Sequence, residues 1–336
     1  MKILVTGGAG YIGSHTILEL IELGYKDIIS VDNYLNSTPQ TYDRIKKITN
    51  RSITHYDIDL ADTRSTKVFF DEHKFDGIIH FAALKSVPES VSHPDLYYRN
   101  NLTSLLNILD AIKKHPDTLL IYSSSCSIYG NPEQLPVTEK TPYGKIESPY
   151  ANTKKIGEEI LRDFWKGMPN IRIASLRYFN PAGAHSSGLI GEIKTKRPNN
   201  LVPIIAQQAI GLRESVTIFG SDYATKDGSC VRDYVHVSDI SRAHVQAIEY
   251  LKQNKGIYEV INLGSGEGST TLEVVEAFEK TNKLELNFHI GPRREGDVTS
   301  IYANNEKAKK LLKWQPKLGL FDIVSSAWKW QQNADQ

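Results

Sequence analysis

Ile3-Leu4-Val5-Thr6-Gly7-Gly8-Ala9-Gly10-Tyr11-Ile12-Gly13 opens the chain, and Ile17, Leu18, Leu20, Ile21 and Leu23 follow at helical spacing. A short apolar run, a turn with glycine at every third position and an amphipathic stretch predict strand, glycine turn and helix in succession. Gly7, Gly10 and Gly13 remove side chains where backbone must approach a pyrophosphate. The first turn of the helix offers that anion unpaired N–H groups and a positive dipole end. Glycines alone are a weak signal. Here Gly24 ends the helix, Ile28 to Val31 form a second apolar run, and Asp32 closes it, 19 residues beyond Gly13. An acidic residue at that distance is placed to bond ribose hydroxyls and would repel a 2′-phosphate, so the unit is expected to bind NAD rather than NADP.

Outward from this unit, apolar runs alternate with helical stretches to about residue 180, with strands expected at Ile53 to Asp57, Gly77 to Phe81, Leu119 to Ser123 and Arg172 to Tyr178. Near-continuous apolar strands separated by helices imply a parallel sheet covered on both faces, a Rossmann-type doubly wound α/β fold. Ligands of such sheets sit beyond the carboxyl ends of the strands. Gly7, Asp32, Phe81-Ala82-Ala83, Ser123-Ser124-Ser125 and Tyr178-Phe179-Asn180 should therefore converge on one cleft. The rhythm breaks in the stretch from Pro181 to Pro203, so residues 1–180 are expected to form the NAD-binding domain, and 181–234 with 264–336 a smaller α/β substrate domain. Residues 235–263 should return to the first domain, because Val235 to Val237 and Val260 to Leu263 read as strands around a helix from Ser238 to about Leu251. Thr270-Thr271-Leu272-Glu273 reads as a capping box.

The chain has 336 residues, enough for one large domain or two joined ones, and a formal net charge of +1. No cationic surplus points to nucleic acid or an anionic membrane, so any bound anion must be held by a few placed groups. The sequence enters a strand almost at once and has no apolar stretch near about 18 residues, which predicts a cytoplasmic protein without signal peptide or membrane span. Two cysteines, Cys126 and Cys230, and ten histidines without clustered ligand spacing predict neither a disulfide nor a metal. Lys307, Lys309, Lys310 and Lys313 read as a solvated helix face.

Ser125, Tyr150 and Lys154 carry the candidate chemistry. Ser148 and Pro149 suit the N-cap and first position of a helix. Tyr150 and Lys154, four residues apart, then share one face with Cβ atoms about 5–6 Å apart. A tyrosine of pKa about 10 is a poor base, but a cation about 6 Å away at an effective dielectric of about 20 favours the phenolate by roughly 2.8 kcal/mol. That shift predicts a pKa near ~8, falling to ~7 beside an oxidised nicotinamide, where a general base works best. Further on, Arg232 in Val231-Arg232-Asp233-Tyr234 and Arg293-Arg294 near Glu295-Gly296-Asp297 offer guanidinium groups for phosphates. Asn199-Asn200-Leu201 and Thr217-Ile218-Phe219 offer amide and backbone contacts to a base.

Taken together, Thr6 to His15, Asp32-Asn33, His80 to Lys85, Ser123 to Ser125, Tyr150 with Lys154, Arg177 to Pro181, Asn199 to Leu201, Val231 to Tyr234 and Arg293 to Asp297 resemble the UDP-glucose 4-epimerase family. That family lies within the extended short-chain dehydrogenase/reductases, and the likeness runs over about residues 1–330. The resemblance implies reversible interconversion of UDP-galactose and UDP-glucose at C4, through a 4-keto sugar, with tightly bound NAD left unchanged. It implies Tyr150 as base, Lys154 on the nicotinamide ribose and Ser125 on the sugar O4. Gly7, Gly10, Tyr11, Ile12, Gly13, Asp32, Asn33, Asn36, Asp59 and Leu60 would line NAD, with Phe81, Ala82, Lys85, Asn100, Ser123 and Tyr178 around its remainder. Asn180, Asn200, Leu201, Phe219, Arg232, Arg294 and Asp297 would hold the UDP part. Ile301 takes the place of a gate residue that is bulky where only plain hexoses are accepted and small where N-acetylhexosamines are too; isoleucine is intermediate, so UDP-glucose and UDP-galactose are the expected substrates, with weak activity on N-acetylhexosamines left open. Helices around 88–114 and 149–166 would form a homodimer bundle. Related 4,6-dehydratases carry an Asp-Glu pair after the catalytic hydroxyl, whereas Cys126 and Ser127 stand here. A non-catalytic NAD-binding regulator would need no such triad.

Overall fold

The computed structural model describes residues 1–193, 200–294 and 296–334; Asn199 and Glu295 lie outside the described residues. From β1 (Lys2–Thr6) the chain turns through its glycines into α1 (Tyr11–Glu22), then β2 (Asp27–Asp32), α2 (Gln40–Thr49), β3 (Thr54–Asp57), α3 (Thr63–Glu72) and β4 (Gly77–His80). There follow α4 (Val87–Ser92), α5 (Pro94–Lys114), β5 (Leu119–Ser125), α6 (Pro149–Gly167) and β6 (Arg172–Tyr178). Beyond these run β7 (Asn180–Ala182), α7 (Leu201–Ala209), β8 (Val216–Phe219), β9 (Val231–Arg232), β10 (Tyr234–His236), α8 (Val237–Gln253) and β11 (Ile257–Leu263). The last elements are β12 (Ser269–Thr270), α9 (Thr271–Asn282), β13 (Phe288–Gly291), β14 (Ser300–Ile301), α10 (Glu306–Leu312) and α11 (Leu320–Asn333).

Seven strands form a parallel sheet in the order β11-β6-β5-β4-β1-β2-β3. Successive side chains of a strand point to opposite faces, and β1 shows why both faces are covered. Ile3 and Val5 enter a core with Ile17 and Leu20 of α1 and Ile248 and Leu251 of α8. Leu4 enters the other core, with Phe69 of α3, Leu105 and Ile108 of α5 and Leu161 of α6. Each such side chain removed from water contributes roughly 1.5–3 kcal/mol. The strand order reverses at β1, flanked by β2 on one side and β4 on the other, which opens a crevice at the carboxyl ends. A third core gathers Val202 and Ile205 of α7, Ile218 of β8, Val274 and Phe278 of α9, and Ile323 of α11.

Two expectations change. The helix expected over 88–114 is interrupted at His93, because Pro94 disfavours helical backbone in the residue before it, and His93 sits at φ −134°, ψ 63°. Val235 to Val237 is extended only to His236, and β10 pairs with β7 instead of the large sheet. Apolar β-branched residues favour extended backbone, but the partner is a non-local choice they do not encode. β11 does lie along β6, from Ile257 beside Arg172 to Leu263 beside Tyr178. The capping box at Thr270 forms, with Glu273 N donating to Thr270 Oγ1 at 3.1 Å and Thr270 N to Glu273 Oε2 at 2.8 Å. Lys309 pairs with Glu306 and Lys307 with Glu259 along α10. Cys126 and Cys230 are free thiols, and no helix among the described residues is long and apolar enough to cross a membrane.

Candidate active site

Each glycine of the first turn answers a different steric demand. Gly7 has φ +70°, and a Cβ there would stand 2.9 Å from the Ala82 nitrogen; one on Gly13 would fall 2.3 Å from the Gly7 carbonyl. A Cβ on Gly10 would meet the Gly7 oxygen alone, at 3.1 Å, so the outer side of the turn is open. Gly10 is also the N-cap of α1 and provides no side-chain acceptor, leaving the N–H groups around Tyr11, Ile12 and Gly13 to a ligand. Asp32, buried at the end of β2, accepts from Ala9 N at 3.0 Å, Tyr34 N at 2.9 Å and Ser37 Oγ at 2.8 Å. Burial pushes its carboxyl up and these bonds pull it down. An open cradle with uncapped donors and a carboxylate beside it fits the pyrophosphate and ribose of NAD.

Because the sheet is parallel, the other expected cofactor residues leave its strands at the same end. Asn33 and Asn36 follow β2, Asp59 and Leu60 follow β3, Phe81, Ala82 and Lys85 follow β4, Ser123 lies two residues before the end of β5 and Tyr178 ends β6. Asn100 reaches the region from α5, and its amide donates to Asn101 Oδ1 at 3.0 Å.

The α6 helix begins where its cap predicts, with Ala151 N donating to Ser148 Oγ at 3.2 Å and Pro149 in the first turn. Lys154 is buried, donates from Nζ to the Ser123 carbonyl at 2.7 Å and stands 5.9 Å from the centre of the Tyr150 ring. Ser125 caps a short 3-10 turn, accepting from Ser127 N at 3.2 Å and Ser127 Oγ at 2.9 Å. The expected depression of the Tyr150 phenol to about 8 is overturned for the protein on its own. Burial pushes the phenol up to about 12, although hydrogen bonding to Ser125 pulls it down. Burial likewise pushes Lys154 down to about 8, against the pull of Glu158. Removing the phenolate from water costs more than the Ser125 hydrogen bond returns.

Across the cleft, Asp297 Oδ1 accepts from Arg294 Nη2 at 2.8 Å and from Arg232 Nη2 at 3.3 Å. The Arg294 guanidinium lies 5.5 Å from the Phe219 ring centre, and Ile301 on β14 pairs in register with Arg232 on β9. Asn180 joins this group, its N–H donating to the Asp233 carbonyl at 2.8 Å. Arg293 does not; it turns to Asp222 at 2.7 Å and the Tyr223 ring at 4.2 Å. Asn200 and Leu201 open α7, and the Asn200 amide donates to the Glu192 carboxylate at 3.1 Å. Cys126 is half-buried, and desolvation pushes its thiol up to about 12.

Comparison with known proteins gives the family. The family model described as GDP-mannose 4,6 dehydratase matches residues 4–327. A UDP-glucose 4-epimerase of Bacillus subtilis is 45% identical over 333 residues, 99% of this chain and 97% of the relative. The chain belongs to the UDP-glucose 4-epimerase family. The structure of a UDP-glucose 4-epimerase from Bifidobacterium longum in complex with NAD+ and UDP superposes with a TM-score of 0.94 at 45% identity, covering 99% of this chain and 98% of that one. One from Stenotrophomonas maltophila, with bound NAD and formylated UDP-arabinopyranose, has a TM-score of 0.96 at 40% identity, covering 100% and 99%.

NAD is the cofactor of this UDP-glucose 4-epimerase fold, and the cradle of Gly7, Gly10 and Gly13 with Asp32 suits it. Within the epimerase site, four buried or bridging residues escape a reading of the sequence. Asn101 holds the loop after β4 from both sides, accepting from Leu84 N at 2.8 Å and donating to Leu84 O at 3.0 Å. His244 accepts the Tyr178 hydroxyl at 2.6 Å while its Nδ1 donates to Ile240 O at 2.8 Å; burial pushes the ring down to about 4, so it stays neutral. Glu192 takes both Lys85 Nζ, at 2.8 Å, and Asn200, joining an expected cofactor residue to an expected substrate residue. Glu158 lies under Lys154. The one signal in the sequence was polar residues at apolar positions of otherwise amphipathic helices, as at Asn101, Glu158 and His244.

Proposed function

We propose that the protein interconverts UDP-galactose and UDP-glucose by inverting C4 of the hexose through a transient 4-keto sugar. Bound NAD supplies the acceptor for the C4 hydride and the donor that returns it. Tyr150 takes the O4 proton and later gives it back, Ser125 hydrogen-bonds O4, and Lys154 holds the nicotinamide ribose while presenting positive charge to the phenol. Arg232 and Arg294 take the diphosphate, with Asp297 orienting both guanidinium groups. Asn180, Asn200, Leu201 and Phe219 contact the remainder of the UDP. Anchoring through UDP leaves the sugar free to present either face. Ile301 beside Arg232 favours plain hexoses. In this reading residues 1–180 with 235–263 hold NAD, and 181–234 with 264–336 hold the nucleotide sugar.

The observation that carries this reading is the absence of a carboxylate after Ser125. Ser127 Oγ is spent on Ser125 at 2.9 Å, and the half-buried Cys126 thiol is weakly acidic. Neither offers the acid and base that elimination of water from C5 and C6 requires, so C4 oxidation is followed by its own reversal. Exposed Val91 on α4 and Leu106 on α5, 60% and 47% accessible, support a homodimer through these helices. A cytoplasmic location accords with this chemistry. Incubation with UDP-galactose, without added NAD, tests the function by chromatographic resolution of UDP-glucose. Retained NAD with no change in the sugar would instead favour a regulator, and a 4-keto-6-deoxy product a dehydratase.

A further inference from the structure

The Tyr150–Lys154 face of α6 continues one turn further, to Glu158, which is fully buried. Both of its oxygens are saturated. Oε1 accepts from Ser124 Oγ at 2.6 Å and Arg177 Nε at 2.9 Å; Oε2 accepts from Arg177 Nη2 at 2.6 Å and Tyr143 OH at 3.1 Å. Arg177, also buried, passes the network on to Tyr129 OH at 2.7 Å, and Tyr129 to Asn262 Oδ1 at 2.7 Å. A buried ion pair often contributes no more stability than apolar residues of the same volume, so stability alone gives no reason for this one. Its position does. Ser124 stands between Ser123, whose carbonyl takes Lys154, and Ser125; Arg177 directly precedes Tyr178. One carboxylate therefore ties β5, β6 and α6 together at the points where site residues leave them.

We propose that Glu158 is a positioning residue for proton transfer: pinned by Ser124 and Arg177, it aligns Tyr150 and Lys154 with Ser123 and Ser125 and supplies the negative charge that Lys154 faces. The proposal rests on the assignment of Tyr150 and Lys154 as the proton-transfer pair. Lys154 faces Tyr150 and Glu158 on its own helix, Tyr122 on β5 and His80 on β4. Arg177 and Tyr178 of β6, Tyr258 of β11, and Tyr143 and Cys126 surround the same region. Among these, burial keeps His80 neutral and the tyrosines and Cys126 protonated, so Glu158 is the anion that holds the proton on Lys154.

Three variants, Glu158→Gln, the double Glu158→Met/Arg177→Met and Ser124→Ala, test this in steady-state assays with UDP-galactose across neutral to alkaline pH. The double variant removes both charges, so no buried guanidinium is left unpaired, and Ser124→Ala removes a single hydrogen bond. Glu158→Gln should move the alkaline limb of kcat towards lower pH by about one to two units, with KM for UDP-galactose held within about twofold; the double variant, which loses a cation with the anion, should move it less and lower kcat about tenfold. Ser124→Ala should lower kcat about tenfold without moving the limb, because the charge remains. An unmoved limb in Glu158→Gln, or an unchanged kcat in the double variant or in Ser124→Ala, overturns the proposal. Full turnover in Tyr150→Phe would instead overturn the assignment on which it rests.

Discussion

Lys154 stands 5.9 Å from the centre of the Tyr150 ring and holds the Ser123 carbonyl at 2.7 Å, so one ammonium links the phenol to the strand that ends in Ser125. Burial nevertheless pushes the phenol up to about 12, which makes Tyr150 a proton donor in the protein alone. Its removal deletes the acid and the base at once. Tyr150→Phe should reduce turnover by about 10²–10⁴-fold, while UDP binds within about twofold of the native protein by calorimetry, because no diphosphate contact changes. A variant that lost both in parallel would place Tyr150 in binding rather than proton transfer.

Arg294 and Arg232 share Asp297 Oδ1, yet their surroundings differ. The Arg232 side chain is 15% exposed and also donates to the Val231 and Val298 carbonyls, at 2.9 and 2.7 Å, whereas that of Arg294 is 49% exposed. Arg294→Ala should weaken UDP by about 10–100-fold, the worth of a charge-assisted hydrogen bond to phosphate, and leave the melting temperature unchanged. Arg232→Ala should weaken UDP similarly and also lower the melting temperature, because it strips two carbonyls of their donor and removes a largely buried side chain. Calorimetry paired with thermal melts distinguishes the two; equal effects on stability would contradict the burial difference.

The parallel sheet and its cleft were legible because near-continuous apolar runs and the glycine turn are local signals, and parallel strands must deliver their carboxyl ends to one side. Tyr150 with Lys154 was legible for the same reason: a cap and an i, i+4 spacing sit within one helix. What the sequence leaves out is non-local. Nothing in Val235 to His236 names β7 as its partner, and nothing in Glu192 names Lys85 and Asn200, which lie 107 and 8 residues away. In the protein alone the Tyr150 pKa departs from the expected value because spacing reveals the neighbouring charge but not the desolvation, and here desolvation is the larger effect.

Ile301 is 4% exposed and packs in the core with Val137, Ala303 and Leu312. Shortening this side chain therefore carries a structural cost. Ile301→Ala should raise kcat/KM for UDP-N-acetylglucosamine relative to UDP-glucose, by about tenfold or more. It should also destabilise the fold by about 2–5 kcal/mol through lost burial and the cavity left behind. Competing-substrate assays with denaturant titration measure both. An unchanged substrate ratio would remove Ile301 from the specificity boundary even if stability fell as expected.

Four buried histidines set the acid limit of the fold. Burial pushes His15 and His80 down to about 3, and His236 and His244 down to about 4. Each folded value lies below the unfolded one of about 6.5, so the native state binds fewer protons than the unfolded chain once the pH drops below that point. Their contribution is fully present above about pH 6.5 and is lost as the pH falls through the folded values, at about 1.4 kcal/mol per pH unit for each ring. Asp233 opposes them. Its carboxyl is pushed up to about 6 by burial, despite bonds from Ser265, Ala303 and Gly266, so it adds stability on acidification through that value. The histidines outnumber it, and urea midpoints should fall steadily from pH 6.5 towards pH 4. His15→Gln should make that slope shallower by about one proton, because the His15 Nε2 is buried without a hydrogen-bond partner and glutamine does not titrate. A slope that His15→Gln leaves unchanged would show that this ring is protonated without cost.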